Sequence, residues 1–380
     1  MATSTVPQIS IEQMRWFRLR RSGLVKPYAT PVAAARALMG VQAQILPAAA
    51  LALWNRTPRL TYAGFEDLLY RRRSLVKLWG QRHTLHVYDS RDWPLLHAAR
   101  SVNRTWWERQ AENGDYAFQN YTLEDYRRLV EQVAELLRTR KTMGRSDLRT
   151  SGLDVPEELY NAWGGIFADL VRQGYACHAG RVGNEGHFAH RERWLPKLAW
   201  DPPAPAEANR AMAARYFAAY GPSTTRDFLY WRAINRGDAQ ASLDALASDL
   251  AEVRVDGAPM HVLRAGLATL RRRPPDAEAW PVRLLYRFDP YLLAHRDKGW
   301  VVDPAHYNAV WRPAGHIEGI VLAHGRGLGT WRYDRKGKGL AIQVTPFAPL
   351  PAYVAQQIPA LAEQVAAFFG LPLSDLQIGQ

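Results

Sequence analysis

The 380-residue chain is 47% hydrophobic and 22% charged, the composition of a globular protein with a sizeable core. Its 49 Lys and Arg against 36 Asp and Glu leave a formal charge of +13, which favours an anionic partner, although an arginine-rich composition also follows from a GC-rich genome. The single cysteine, Cys177, excludes a disulfide framework or a cysteine-built zinc site within one chain, and no apolar run reaches the ~18 residues of a membrane-spanning helix. The first residues, "MATSTVPQISIEQMRWFRLRR", lack the apolar stretch of a secretion signal, so a soluble protein of the reducing cytoplasm is expected.

In chain order, "SIEQMRWFRLRR" opens with Ser10 as a cap, Glu12 and Gln13 close behind it, and apolar Met14, Phe17 and Leu19. "TPVAAARALMG" predicts a helix capped by Thr30, started by Pro31 and stopped by Gly40 in a left-handed conformation. "TYAGFEDLLYRRR" is a third helix over 61–73. "SLVKLWGQRHTLHVY" reads as a hairpin with its turn at Gly80-Gln81. Helices followed by a hairpin make a winged-helix pattern.

The order recurs. "LEDYRRLVEQVAELLRTR" predicts an amphipathic helix over 123–140. "GRSDLRT" and "PEELYNAWGGIFADLVRQG" supply two more, the second a candidate recognition helix. "YACHAGRVGNEGHFAHRERW" is a hairpin with a glycine-rich tip from Gly180 to Gly186. After the proline-rich linker "DPPAPAEA", 201–208, a third round follows: the helix "ANRAMAARYFAAYG", the helix "STTRDFLYWR" capped by Ser223, the helix "QASLDALASDL", and a hairpin turning at Asp256-Gly257. The repeat, of about 70–80 residues, is one of element order and not of residues. "RRRPPDAEAW", 271–280, is an exposed connection. From Pro281 the stretches "VRLLYRFDPYLLAHRDKGWVV", "GIVLAHGRGLGTWRY" and "GLAIQVTPF" are strand-like, and "AYVAQQIPALAEQVAAFFG" is a terminal helix.

The segment "GVQAQILP", 40–47, carries two glutamines two positions apart. In a continuous helix they would point roughly 200° apart; in an extended segment both would face one way. Gly40 and Pro47 favour the break that makes a two-amide site. The competing reading is that each amide satisfies a loose backbone group at a helix end. In "GQRHTLHVY", His83 and His86 are three apart and on a strand face opposite ways, which argues against a paired metal site and for a polar wing with one packed histidine. "HFAHRER", with His187 and His190, is similar. "FDPYLLAHRD" holds Asp289, His295 and Asp297, with Asp289-Pro290 reading as a cap; a hydrolytic carboxylate pair is the weaker alternative. "WRYDRKGKG" carries Arg332, Arg335, Lys336 and Lys338 at a hairpin end, either a solvated tip or a phosphate clamp, and Arg326 in "HGRGLG" has the setting of a minor-groove arginine. Trp106 and Trp107 fit a core better than a base-stacking platform. No dinucleotide fingerprint, P-loop, HExxH, CxxC or GxSxG occurs, which keeps a non-enzymatic DNA-binding protein, a transcription regulator or damage shield, as the alternative to an enzyme.

"GVQAQ" after an alanine-rich helix, "QRHTLHVY", "GPSTTRDFLYW", "FDPYLLAHRDK" and "GTWRYDR" occur in this order. Together they resemble the AlkZ-type proteins, tandem winged-helix DNA glycosylases first associated with azinomycin resistance, and the resemblance runs over about residues 10–370. It implies an α+β fold of three tandem winged-helix units joined to β elements in a C-shaped body. Here these are 1–115 with the Gln-x-Gln motif, 116–200, 205–270, and a β-rich segment with a terminal helix, 281–380.

The resemblance also implies monofunctional excision of N7-alkylated guanine, including bulky natural-product adducts and, in some members, interstrand crosslinks. The family's catalytic Gln-x-Gln falls on Gln42 and Gln44, which places the chain in the branch that contains antibiotic self-resistance enzymes. An N7-alkylguanine already carries positive charge, so it leaves without protonation, and what remains is to hold a water at C1′ and stabilise oxocarbenium character, tasks within reach of two amides. No metal or cofactor is implied. The expected partner is double-stranded DNA carrying alkylated guanine, met by a monomer with no membrane association at the nucleoid. Arg82, His83 and Thr84 of the first hairpin and Arg326, Arg332, Arg335, Lys336 and Lys338 of the later one are the expected DNA contacts. A crosslinked nucleotide cannot be flipped into a snug pocket, which suggests action on the duplex without full extrusion.

Overall fold

The computed structural model describes residues 6–99, 104–115, 118–119, 121–161 and 163–379. The chain divides into two compact units. One comprises 1–66, 81–84 and 210–380; the other comprises 67–80 and 85–209. Both mix helices with antiparallel hairpins, and helices followed by a hairpin recur along the chain as the sequence predicts.

In the first unit, helix Ile11–Arg21 begins with a reciprocal capping box between Ser10 and Gln13, and Met14, Phe17 and Leu19 point into the core. Strand Gln8–Ile9 lies parallel to Leu250–Val255, which pairs antiparallel with Ala258–Leu263. The turn between the last two is Asp256-Gly257, both residues left-handed as a tight hairpin requires. Helix Thr225–Arg232 is capped by Thr224 and not by Ser223: the Thr224 hydroxyl and the Asp227 carboxylate form the capping box, while Ser223 is occupied in backbone pairing with His261.

The C-terminal sheet of this unit has the order Leu373–Ile378, Gly339–Pro346, Arg326–Lys336, Gly319–Ala323, Arg283–Leu285. All neighbours are antiparallel except the edge strand Leu373–Ile378, which runs parallel to Gly339–Pro346 and which no alternation in the sequence announced. The stretch 282–302 departs from the strand-like expectation. Only Arg283–Leu285 is a strand; Asp289 then caps the short helix Pro290–Leu293 through the Tyr291 amide at 2.9 Å.

Asp289 has a second and larger role. Its carboxylate receives both Nη atoms of Arg56 at 2.7 Å, and both side chains are entirely buried. Arg56 also donates to the Ser22 carbonyl at 2.8 Å and the Ala52 carbonyl at 2.7 Å. Burial opposes the guanidinium charge, but Asp289 more than offsets this and holds the group above its ordinary pKa. The pair ties helix Leu46–Trp54 to the start of the C-terminal segment across 233 residues of sequence.

In the second unit, a four-stranded order runs Leu85–Asp89, Leu75–Trp79, Ala176–Val182, Glu185–His190. Helix Leu123–Thr139 buries Tyr126, Leu129, Val130, Val133 and Leu137 at helical spacing. Trp79, Phe167 and Phe188 stack in the core, with Phe167 and Phe188 4.5 Å apart. The second hairpin turns at Gly183-Asn184, so Gly180 and Gly186 lie within its strands instead of bounding its tip. The predicted long helix after Pro156 is broken: Glu157–Tyr160 is a 3-10 turn and only Ile166–Arg172 is α-helical, because Gly164 and Gly165 are both left-handed. Asp169 on that helix is buried and accepts from Thr105 and, at 2.7 Å, from the Tyr126 hydroxyl. Burial outweighs these bonds and raises its carboxyl from 3.8 to about 6.

Two outcomes are expected. Arg56→Met leaves the Asp289 charge buried and unpaired and should cost about 3–5 kcal/mol, whereas adding Asp289→Leu should restore much of it, measured by urea denaturation. A carboxyl raised on folding contributes stability that is complete below its unfolded pKa and lost as the pH rises through its folded pKa. Asp169→Asn should therefore gain in melting temperature relative to the parent as pH rises from about 4 to about 6. A gap that stays constant over this range would remove Asp169 as the cause.

Candidate active site and nucleic-acid interface

Helix Pro31–Ala37 starts as its sequence predicts, with the Thr30 hydroxyl accepting from Ala33 N and Pro31 at the first turn. Its end is sharper than Gly40 alone would make it. Met39 at φ 54° and Gly40 at φ 89° are both left-handed. The Met39 amide returns to Arg36 O at 3.2 Å and the Gly40 amide to Ala35 O at 2.8 Å, the crossed bonds of a Schellman end. Two carbonyls freed by this corner find side-chain donors within the same unit: the Tyr220 hydroxyl reaches Leu38 O at 2.7 Å and the Gln81 amide reaches Met39 O at 2.8 Å.

The chain then leaves the helix, as a two-amide site requires. Val41–Gln42 is extended, Ala43 to Ile45 are non-helical, and a new helix, Leu46–Trp54, takes Pro47 in its first turn. Gln42 is 7% exposed while Gln44 is exposed. The two amides thus differ in setting: one is held inside the corner and one reaches solvent.

Residues 81–84, at the tip of the first hairpin, belong to the same unit as this corner. The tip is longer than a Gly80-Gln81 turn. Gln81–His83 form a 3-10 turn in which Arg82 and His83 are left-handed, and Thr84 closes it through its amide at 3.2 Å and its hydroxyl at 3.1 Å to Gln81 O. Arg82 donates from Nη2 to Gln42 Oε1 at 2.7 Å. The structure therefore brings together one expected site glutamine and one expected DNA contact. His83 is exposed and Thr84 half-buried. His86 is buried and stacks on Tyr88, the packed histidine of the pattern.

Lys298 is a further buried basic residue of this unit. It is 6% exposed and donates to Leu292 O at 2.8 Å and to His295 O, where it caps the end of helix Pro290–Leu293. It lies over the rings of Tyr230, 4.8 Å, and Trp311, 5.5 Å. Burial first, and then the charge of Arg82, push its amine down to about 7. His295 is buried, donates through Nε2 to Tyr220 O at 2.8 Å, and is held neutral by burial.

The other expected residues separate clearly. Arg332, Arg335, Lys336 and Lys338 are exposed at the end of the hairpin Arg326–Lys336 and Gly339–Pro346, with Arg332 hydrogen-bonded to Gln343 at 2.8 Å. Arg326 is half-buried at the base of that hairpin and 3.9 Å from Asp303. Asp289 and Asp297 form no carboxylate pair: Asp289 is consumed by Arg56, and exposed Asp297 caps a turn through Gly299 N at 2.9 Å. His187 contacts Thr142 at 3.3 Å, and buried His190 caps helix Arg191–Trp194. Among the described residues no cluster of three histidine, cysteine or acidic side chains could hold a metal ion. Trp107 packs on Phe118, and Trp106 is 40% exposed beside it. Tyr220, Gln81 and Lys298 were not singled out by the sequence. Tyr220 and Gln81 reach backbone carbonyls far away in the chain, which no local spacing marks, whereas Lys298 binds the carbonyls six and three residues before it.

With this geometry in place, comparison with known proteins gives one family. The model of the "DNA glycosylase AlkZ-like" family matches residues 35–368. An "Interstrand DNA cross-link repair glycosylase" of Streptomyces sahachiroi is 29% identical over 354 residues, 88% of this chain and 89% of that protein. The solved structure of the Streptomyces sahachiroi DNA glycosylase AlkZ superposes with a TM-score of 0.81 at 26% identity, covering 98% of this chain and all of the other.

The corner makes its own prediction. Gln81→Ala and Tyr220→Phe each remove a side-chain donor from a carbonyl of the Leu38–Met39 bend, at about 1–3 kcal/mol apiece. Each should speed amide hydrogen exchange across 41–45, read by mass spectrometry, and unchanged exchange there would show that the bend holds without them.

Proposed function

The chain belongs to the AlkZ-like DNA glycosylases, and from that premise we propose that it hydrolyses the N-glycosidic bond of cationic N7-alkylguanine adducts in duplex DNA. Bulky natural-product adducts, and crosslinks of the kind named for its Streptomyces relative, are the intended substrates. The reaction is monofunctional. Water attacks C1′, the C1′–N9 bond breaks, its electrons neutralise the imidazolium ring of the leaving base, and the spare proton passes to solvent. No general acid is needed, because the leaving group departs neutral.

The observation that carries this reading is the non-helical corner at 41–45, which presents Gln42 from inside and Gln44 at the surface. An amide carbonyl accepts a hydrogen bond from the attacking water and lays partial negative charge beside the developing oxocarbenium ion. In this reading Gln42 and Gln44 together fix that water. The exposed cations Arg332, Arg335, Lys336 and Lys338 suit phosphate contacts that orient the duplex, and the protein works as a monomer in the cytoplasm, at the nucleoid. A hydrolytic carboxylate pair of Asp289 and Asp297 has no support, since Asp289 is paired with Arg56 in the core.

The test is excision from a duplex with one N7-methylguanine, and in parallel a bulkier N7 adduct, in EDTA, followed by hot alkali. Strand breaks at the adduct are expected. Gln42→Ala and Gln44→Ala should each slow release by about 100-fold while DNA affinity holds. Parent protein that leaves both adducts intact, and only binds, would mark it as a damage-shielding protein.

A further inference from the structure

We propose that Arg82 is a positioning residue for this reaction, its guanidinium 2.7 Å from Gln42 Oε1 setting which end of that amide meets the attacking water. The inference rests on the reading of Gln42 as a site residue and goes beyond it.

An arginine only donates hydrogen bonds. The atom facing Arg82 Nη2 is therefore the Gln42 carbonyl oxygen, and the amide cannot turn over without losing a charge-assisted bond. The Nε2–H end is directed away from Arg82. A cation on the carbonyl also draws electron density from the oxygen and makes Nε2–H the stronger partner. Gln42 then holds the water by donating to one lone pair of its oxygen, while the exposed Gln44 carbonyl accepts one of its protons. The other lone pair attacks C1′. Two amides in opposite senses fix the direction of that lone pair, which two acceptors alone would not.

The delivery of Arg82 is itself built. Arg82 and His83 have φ of 53° and 55°, a conformation that costs a non-glycine residue energy and persists where the surroundings impose it. The surroundings are on both sides. Gln81, 2% exposed, is fastened to Met39 O, three residues before Gln42, and Thr84 locks the turn back onto Gln81. The turn and the glutamine are thus tied twice, once through Gln81 to the bend and once through Arg82 to Gln42 itself. Arg82 is half-buried, in contrast to the exposed cations at the tip of the later hairpin, so its setting is that of a residue aimed at a protein group.

The experiment compares Arg82→Ala, Arg82→Lys, Gln42→Ala and the double variant Arg82→Ala/Gln42→Ala. The readouts are single-turnover excision of N7-methylguanine with enzyme saturating, DNA affinity by fluorescence anisotropy, and melting temperature. Arg82→Ala should slow the saturated rate by about 100-fold with affinity and melting temperature unchanged. Arg82→Lys, which keeps one donor but not the planar fork, should recover part of the rate. The double variant should be no slower than Gln42→Ala alone, because both changes remove one device. Loss of affinity with a normal saturated rate would overturn the proposal and make Arg82 a phosphate contact, and so would additive losses in the double variant. If Gln42→Ala slows excision and Arg82→Ala does not, the positioning role alone fails. If Gln42→Ala excises at the parent rate, the assignment of the glutamines fails and the role of Arg82 falls with it.

Discussion

The Arg56–Asp289 ion pair is the constraint on which the larger unit depends. Two full charges lie wholly out of water, and each is satisfied: the guanidinium by a carboxylate and two carbonyls, the carboxylate by the guanidinium and a helix amide. Such a pair contributes little against a well-packed apolar substitute, but it tolerates no second arrangement, because a shift of either partner strands a charge in the core. It fixes the end of helix Leu46–Trp54 against the loop that begins helix Pro290–Leu293. Both neighbours matter to the site. The first helix follows directly on Gln44, and the second is capped by Lys298.

From that anchor the candidate site is assembled by backbone accounting more than by reactive side chains. A helix that ends in two left-handed residues releases carbonyls that need partners. Tyr220 and Gln81 supply them, and in doing so they fix where the next residues go. The extended Val41–Gln42 step then points one amide inward to Arg82 and leaves the other at the surface. The proposed chemistry, with a leaving group that is already charged, asks for little acid–base power, and this corner offers little. What it offers is orientation.

Much of the fold was legible locally. Thr30-Pro31 and the Ser10–Gln13 box start helices where hydrogen-bonding rules place them, and Asp256-Gly257 turns its hairpin. The break before Gln42 was readable from Gly40, but Met39 shares the left-handed corner, and a methionine gives no hint of that. Ser223 looked like a cap and is not, since Thr224 stands one residue closer to Asp227 and the backbone claims Ser223 for a strand bridge. The stretch 282–302 looked like strands because it is rich in apolar and aromatic residues; a buried aspartate that caps a helix and pairs at a separation of 233 residues overrode that preference. The candidate glutamines came from a short motif with a family resemblance, whereas Arg82 as partner of Gln42 came from contacts 40 residues apart that no periodicity encodes.

Residues 81–84 belong to one unit while the two strands they connect belong to the other. The chain accordingly passes from unit to unit at 66–67, 80–81, 84–85 and 209–210. Each compact unit is thus assembled from separate stretches of the chain. No contiguous fragment carries both Gln42 and Arg82 without also carrying strand Leu75–Trp79, which belongs to the other unit. Truncation or domain exchange cannot isolate this corner, and recombination between relatives would preserve it only when breakpoints fall outside the whole span from Thr30 to Thr84.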